Sequence, residues 1–154
     1  MKIIKFSPII FIVFLAACST LVLQPADFAW PIESVLKVDN DGSVKEDRHS
    51  LTFNTKELFL EETGDSLGYQ DKEIRVIRDA KGFFYITAKN FKNVYVFKTD
   101  EGKLRLDEKI VISEETAMEN PVFNQRPPYI ELVDGPNKHL LSNEGIKNEE
   151  NNEK

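Results

Sequence analysis

Residues 72–113 read KEIRVIRDAKGFFYITAKNFKNVYVFKTDEGKLRLDEKIVIS. Four runs alternate with turns here: Glu73–Arg78, Phe83–Phe91, Val94–Thr99 and Lys103–Ile112. The turns fall at Lys81-Gly82, Lys92-Asn93 and Asp100-Glu101-Gly102. Successive side chains of a strand point to opposite faces, so alternation sorts these residues into two sets. One face collects Ile74, Val76, Phe84, Ile86, Ala88, Val94, Val96, Leu104 and Leu106. The other carries Arg75, Arg78, Lys98, Lys103 and Arg105, mixed with Tyr85 and Tyr95. Strict alternation would put Arg78 and Lys98 on the first face, which places them at strand ends. A weak echo aligns Val76-Ile77-Arg78 with Val96-Phe97-Lys98, and Gly82–Ile86 with Gly102–Leu106. Two successive hairpins in a meander account for it. A propeller needs at least about four such blades, and this chain has no room for them. The fold class expected is all-β: a small antiparallel meander forming a sandwich or open barrel.

Working toward the N-terminus, Asp39-Asn40-Asp41-Gly42 lies between Ile32–Val38 and Ser43-Val44. Asp-Gly between β-prone runs predicts a hairpin, because glycine takes positive φ at no steric cost. Alternation returns at Leu51, Phe53 and Thr55, and a more apolar stretch follows at Leu58-Phe59-Leu60. Toward the C-terminus, Ser113–Met118 reads as one short helical turn, with Ser113 as N-cap and acids in the first turn. Asn120 to Tyr129 reads as an irregular, proline-extended loop. Tyr129–Val133 makes a last strand, ended by Asp134-Gly135-Pro136. Residues 143–154 (NEGIKNEENNEK) hold too little apolar surface to offset ordering entropy, so a disordered acidic tail is expected.

The N-terminus has a different character. Lys2 and Lys5 precede the apolar run FSPIIFIVFLAA over residues 6–17, and Leu15-Ala16-Ala17-Cys18 follows the pattern of small residues before a cut. This layout resembles a bacterial lipoprotein precursor with its lipobox. The resemblance covers about 20 residues. It implies cleavage before Cys18 and acylation of the Cys18 thiol. Cys18 is the only cysteine, so no intramolecular disulfide is possible. Ser19 after the cysteine resembles the enteric-type signal for the outer membrane. The competing reading is an uncleaved span over Phe6–Leu23, interrupted by Ser7, Pro8, Ser19 and Thr20. The expected organisation is a signal peptide at 1–17, an acylated tether at 18–27, a β domain at 28–142 and the tail at 143–154.

Residues 1–17 contain two basic residues and no acid, leaving 18 basic against 26 acidic in the remainder. That balance, with no run of more than two basic residues, argues against nucleic acid and against a polybasic membrane surface.

Several motifs compete for a chemical role. Gly64-Asp65-Ser66-Leu67-Gly68 satisfies Gly-x-Ser-x-Gly, and its first four letters look like the signature of GDSL esterases. A nucleophilic Ser66 needs a sharp strand-to-helix turn and a histidine base. A strand pattern follows instead of a long helix. That family's late Asp-x-x-His and Gly-x-Asn-Asp blocks are missing, and Pro136 stands three places before His139. A calcium loop with Gly42 at its sixth position would run from Lys37 to Arg48, cations where acids are required. His49 and His139 lack ligands at metal spacing, so no metal or cofactor is expected. The segment Asn120–Tyr129 holds Phe123, Arg126 and Tyr129 beside three prolines. Aromatics and arginine are enriched in binding hot spots, which makes these three candidate partner contacts; the alternative is that Phe123 and Tyr129 plug the core.

The function expected from sequence is a membrane-anchored, non-enzymatic binding, scaffold or accessory subunit of the cell envelope, partnered by another envelope protein. Carriage of a small apolar ligand, lined by some of the eight phenylalanines after residue 17, is the second reading. Hydrolysis by Ser66 is the third.

Overall fold

The structure is a computed structural model that describes residues 32–147. The expected signal peptide, Cys18 and the tether lie outside the described residues. In chain order the elements are β1 (Ser34–Lys37), β2 (Ser43–Glu46), β3 (Leu51–Asn54), α1 (Lys56–Thr63) and β4 (Glu73–Arg78). Then come β5 (Phe84–Thr87), β6 (Asn93–Asp100), β7 (Lys103–Val111), β8 (Val122–Arg126), β9 (Tyr129–Asp134), β10 (Asn137–Ser142) and β11 (Gly145–Lys147).

The 72–113 stretch forms the expected meander, and β1 joins its edge to give the order β1-β4-β5-β6-β7. A second antiparallel sheet runs β11-β10-β9-β8, and β2-β3 form a separate hairpin. The protein is all-β in class, built like a sandwich, with free sheet edges instead of a closed barrel.

Directly opposed residues of antiparallel strands share a face. Val76 opposes Ile86, which opposes Tyr95; Ile77 opposes Tyr85, which opposes Val96. All six side chains are buried, so the central sheet is covered on both sides. The face of Val76, Ile86 and Tyr95 meets α1 and the β2–β3 hairpin. There Phe59 of α1 packs edge-on against Phe91, and Phe91 against Tyr95, while His49 meets the Phe84 ring. The face of Ile77, Tyr85 and Val96 meets the four-stranded sheet, with β8 beside β4 and β11 beside β7.

This register corrects the sequence-based faces. Val94 and Val96 stand on the face opposite Ile86, and Tyr95 takes the place expected for them. The β5–β6 turn lies at Lys89-Asn90, not at Lys92-Asn93. Shifting pairing by one residue sends every side chain to the other face. Because β6 is buried on both sides, its apolar residues gave no sign of the slip.

Three further elements differ from expectation. Residues 56–63 form a helix: the run KELFLEET has one β-branched residue, at its end, and Gly64 closes it at φ 72. The left-handed Gly64 places its N–H 2.8 Å from the Leu60 carbonyl, as a helix C-cap requires. At Ser113 the hydroxyl accepts from the N–H groups of Glu115 and Thr116, but no helix follows. The tail begins later than expected, because residues 145–147 pair with β10 and bury part of their backbone. Residues 148–154 lie outside the described part.

The turn at Asp39–Gly42 forms, with Gly42 at φ 80 and its N–H on the Asp39 carbonyl. The strands it joins do not pair with each other. β1 pairs with β4 in the large sheet, where Leu36 opposes Ile74, and β2 pairs with β3.

Carboxylates tie the loops down. Asp79 accepts from the N–H groups of Lys81 and Phe83 and from the Tyr85 hydroxyl. Asp134 accepts from Glu119 and Asn120, and Glu33 joins Arg75 on β4 to the Phe123 N–H on β8. Part of the acidic excess is therefore used to satisfy backbone donors outside the ladders. Among the described residues no buried side-chain nitrogen or oxygen lacks a partner.

Candidate functional site

Cys18 lies outside the described residues. The three candidate contacts do not form one surface. Asn120–Tyr129 is not an irregular loop: Val122–Arg126 pairs with Tyr129–Asp134 across a two-residue Pro127-Pro128 turn. Phe123 points into the core at 3% exposure and cannot touch a partner. Arg126 and Tyr129 oppose each other at the hairpin tip. Arg126 is exposed and pairs with Glu131 at 3.3 Å, and Tyr129 is half-buried. Strand pairing captures the segment because Phe123, Ile130 and Leu132 share one buried face and Pro127-Pro128 fall in the turn.

Ser66 sits exposed in the turns that follow α1. The local order is helix to turn to strand, the reverse of a nucleophile elbow. No hydrogen bond joins Ser66 to a histidine among the described residues. His49 is bound elsewhere: its ring Nδ1 lies 2.9 Å and its backbone N 2.7 Å from the Glu46 carboxylate. Glu46 is 3% exposed and also accepts from the Ser34 hydroxyl at 3.0 Å. Burial works against the Glu46 charge. The His49 N–H and ring, with Ser34, outweigh it and hold the carboxyl below its ordinary range. This group closes the Asp47–Ser50 loop. Sequence reading passed over the Glu46 partner of His49, although the spacing of three was visible.

Two surface hollows carry chemistry. The larger is a polar cleft of about 570 Å³ at one end of the central sheet. It is lined by Lys37 from the end of β1, Lys72 just before β4, Glu73 and Arg75 from the start of β4, and Lys89 and Asn90 from the β5–β6 turn. Asp71, Asn120 and Pro121 complete it. The pairing of β1 with β4 sets Lys37 opposite Glu73. Asn90 is fixed by its N–H to the Met118 carbonyl at 2.9 Å, and Asn120 by Asp134 at 2.7 Å. A neighbouring trough of about 440 Å³ shares Asp71, Lys72 and Asn90 and extends along Thr63, Asp65 and Gln70. Four segments far apart in sequence build the cleft, so no local motif announces it.

The second hollow is an apolar groove of about 270 Å³ between α1–β3 and the outer strands of the central sheet. Phe53, Leu58, Ile86, Tyr95, Phe97, Leu104 and Leu106 line it, rimmed by Glu57 and Glu61. It opens beside β7, the edge strand. That strand carries Lys103, Arg105, Asp107, Glu108 and Lys109, charges that discourage edge pairing with another chain.

No family model, no curated protein and no solved structure matches this chain.

Proposed function

We propose that this chain is a lipid-anchored bacterial envelope protein acting as a non-enzymatic binding or accessory subunit. The N-terminal sequence carries this reading. A basic start, an apolar run and Leu15-Ala16-Ala17 lead to Cys18, the one cysteine available for acylation. The described domain starts at Ile32, 14 positions after Cys18, close enough for a short tether. Each buried methylene contributes roughly 0.8 kcal/mol, so two or three acyl chains give lasting attachment. Detergent phase partitioning of the protein from a bacterial host tests this. The native protein is expected in the detergent phase, and Cys18→Ala is expected to stay unprocessed with residues 1–17 attached. Native protein in the aqueous phase would overturn the reading.

Carriage of an apolar ligand has one observation in its favour, the groove beside β7. Its volume of about 270 Å³ falls just below that of ordinary ligand pockets, roughly 300–1,000 Å³. Saturable quenching of a fluorescent fatty acid, lost in Leu106→Glu, would support it. A signal unchanged by that substitution would remove it.

A further inference from the structure

We propose that the cleft at the β1–β4 end of the central sheet binds a phosphate ester of a sugar or polyol. This inference does not depend on the anchor. Four cations, Lys37, Lys72, Arg75 and Lys89, line the cleft against two carboxylates, Asp71 and Glu73. The chain as a whole carries a net charge of −6, so this local excess runs against its composition.

The state of the lysines is more telling than their number. Lys45, Lys98, Lys109 and Lys147 each hold an acidic partner, Lys92 a backbone carbonyl and Lys56 the Tyr69 ring. Six described lysines, Lys37, Lys72, Lys81, Lys89, Lys103 and Lys138, make no side-chain hydrogen bond, ion pair or ring contact among the described residues, and three of them, Lys37, Lys72 and Lys89, line one hollow. Arg75 is held at 2.8 Å by Glu33, which offsets its charge and also accepts from the Phe123 N–H of β8, so the cleft's uncompensated charge comes from the three lysines. Uncommitted ammonium groups beside a fixed guanidinium suit a compact dianion. A phosphate offers three acceptor oxygens and about twice the charge of a carboxylate.

The backbone supports the assignment. Asp71 and Asn90 both adopt left-handed φ, at 53° and 70°, and both line the cleft and the adjoining trough. The other two non-glycine residues at positive φ, Ser50 and Glu101, lie outside the cleft, and Asp and Asn adopt this conformation readily in turns, so these two residues shape the cleft's loops. The cleft is far larger than a bare phosphate. The trough continues it with Gln70, an amide suited to hydroxyl groups, and with the second carboxylate oxygen of Asp65; the Thr63 hydroxyl and Asp65 Oδ1 are engaged within the loop. A phosphate held by the lysines and a hydroxyl-bearing body along the trough fill both hollows. Free sugar phosphates and lipid headgroups that carry a phosphate monoester share that chemistry.

Calorimetric titration of the full chain in zwitterionic detergent tests the proposal. Glucose 6-phosphate and glycerol phosphate serve as probes, with glucose and glycerol as neutral controls. Saturable binding of at least one phosphate ester, and of neither neutral control, is expected. Lys72→Ala and Lys89→Ala should each weaken it roughly tenfold, the loss of one charged contact. Lys103→Ala and Lys138→Ala remove equal charge outside the cleft and should leave it unchanged. Binding of a short-chain phosphatidylinositol phosphate in competition with glycerol phosphate would identify a headgroup source. Binding of the free esters alone would identify a soluble one. No saturable binding of either ester, or equal losses in both pairs of variants, would overturn the proposal.

Discussion

The Glu62 carboxylate on α1 accepts a hydrogen bond of 2.8 Å from the Tyr95 hydroxyl on β6. The same carboxylate takes the Lys92 N–H and the Asn93 side-chain amide, both at 2.7 Å. One acid thus fastens the helix to the middle of the central sheet. Glu62→Ala is expected to cost about 2–3 kcal/mol, because three donors lose their acceptor together. A urea-denaturation cycle with Tyr95→Phe should show coupling of roughly 1 kcal/mol or more. Additive losses would mean that the joint is not a unit.

Tyr95 and its counterpart Tyr85 also set a limit at high pH. Burial, with Glu62 beside Tyr95 and Asp79 beside Tyr85, pushes both phenols well above their ordinary value of 10.0. The folded state therefore holds these protons more tightly than the unfolded chain. Their stabilising effect is complete below about pH 10 and declines as pH rises beyond it. Thermal melts should show stability falling above pH 10, with a shallower fall in Tyr95→Phe. An identical slope in that variant would remove Tyr95 from the explanation.

Glu46 sets the corresponding limit at low pH. Its carboxyl is held below the ordinary 4.5 by His49 and Ser34 despite burial. The unfolded chain takes up that proton first as pH falls, so the contribution is present above about pH 4.5 and lost below it. Glu46→Gln should lower the melting temperature at pH 7 and flatten the acid limb of the stability curve. A parallel acid limb would place the sensitivity elsewhere.

Phe123 and Arg126 separate core from surface in one hairpin. Phe123→Ala should cost about 3–5 kcal/mol, typical of a buried aromatic, with Arg126→Ala changing stability by under about 1 kcal/mol. Denaturation midpoints measure both. A mild Phe123→Ala would return that ring to the surface.

Gly42 is expected to tolerate no side chain. It stands at φ 80, and an added methyl would lie 2.6 Å from Lys56 Cγ. Gly42→Ala should destabilise by about 1–2 kcal/mol in the same assay. A neutral result would show that the Asp39–Gly42 turn is free to rearrange.

The central meander was legible because its signals were local. Turn residues punctuate it, and β4 falls at Glu73–Arg78 as the alternation implied. The faces of β6 were not legible, since a strand buried on both sides has no polar side to reveal its register. Helix α1 escaped because Leu58-Phe59-Leu60 is too short a run to separate helix from strand, and only Phe59 of the helix is buried. The closing hairpin at 137–147 escaped because its polar residues sit at the surface. Only Leu141, opposite Ile130, reports its inner side, and the neighbouring Leu140 points to the other face. The polar cleft was invisible for another reason: Lys37, Lys72 and Lys89 meet only after β1 crosses to β4.

The lipid anchor is tested most directly by intact-mass measurement of the protein purified from its native membrane in detergent. A mass equal to Cys18–Lys154 plus acyl chains is expected, and Cys18→Ala should abolish that species. An unmodified mass that retains residues 1–17 would contradict the lipid anchor and turn Phe6–Leu23 into a candidate membrane span.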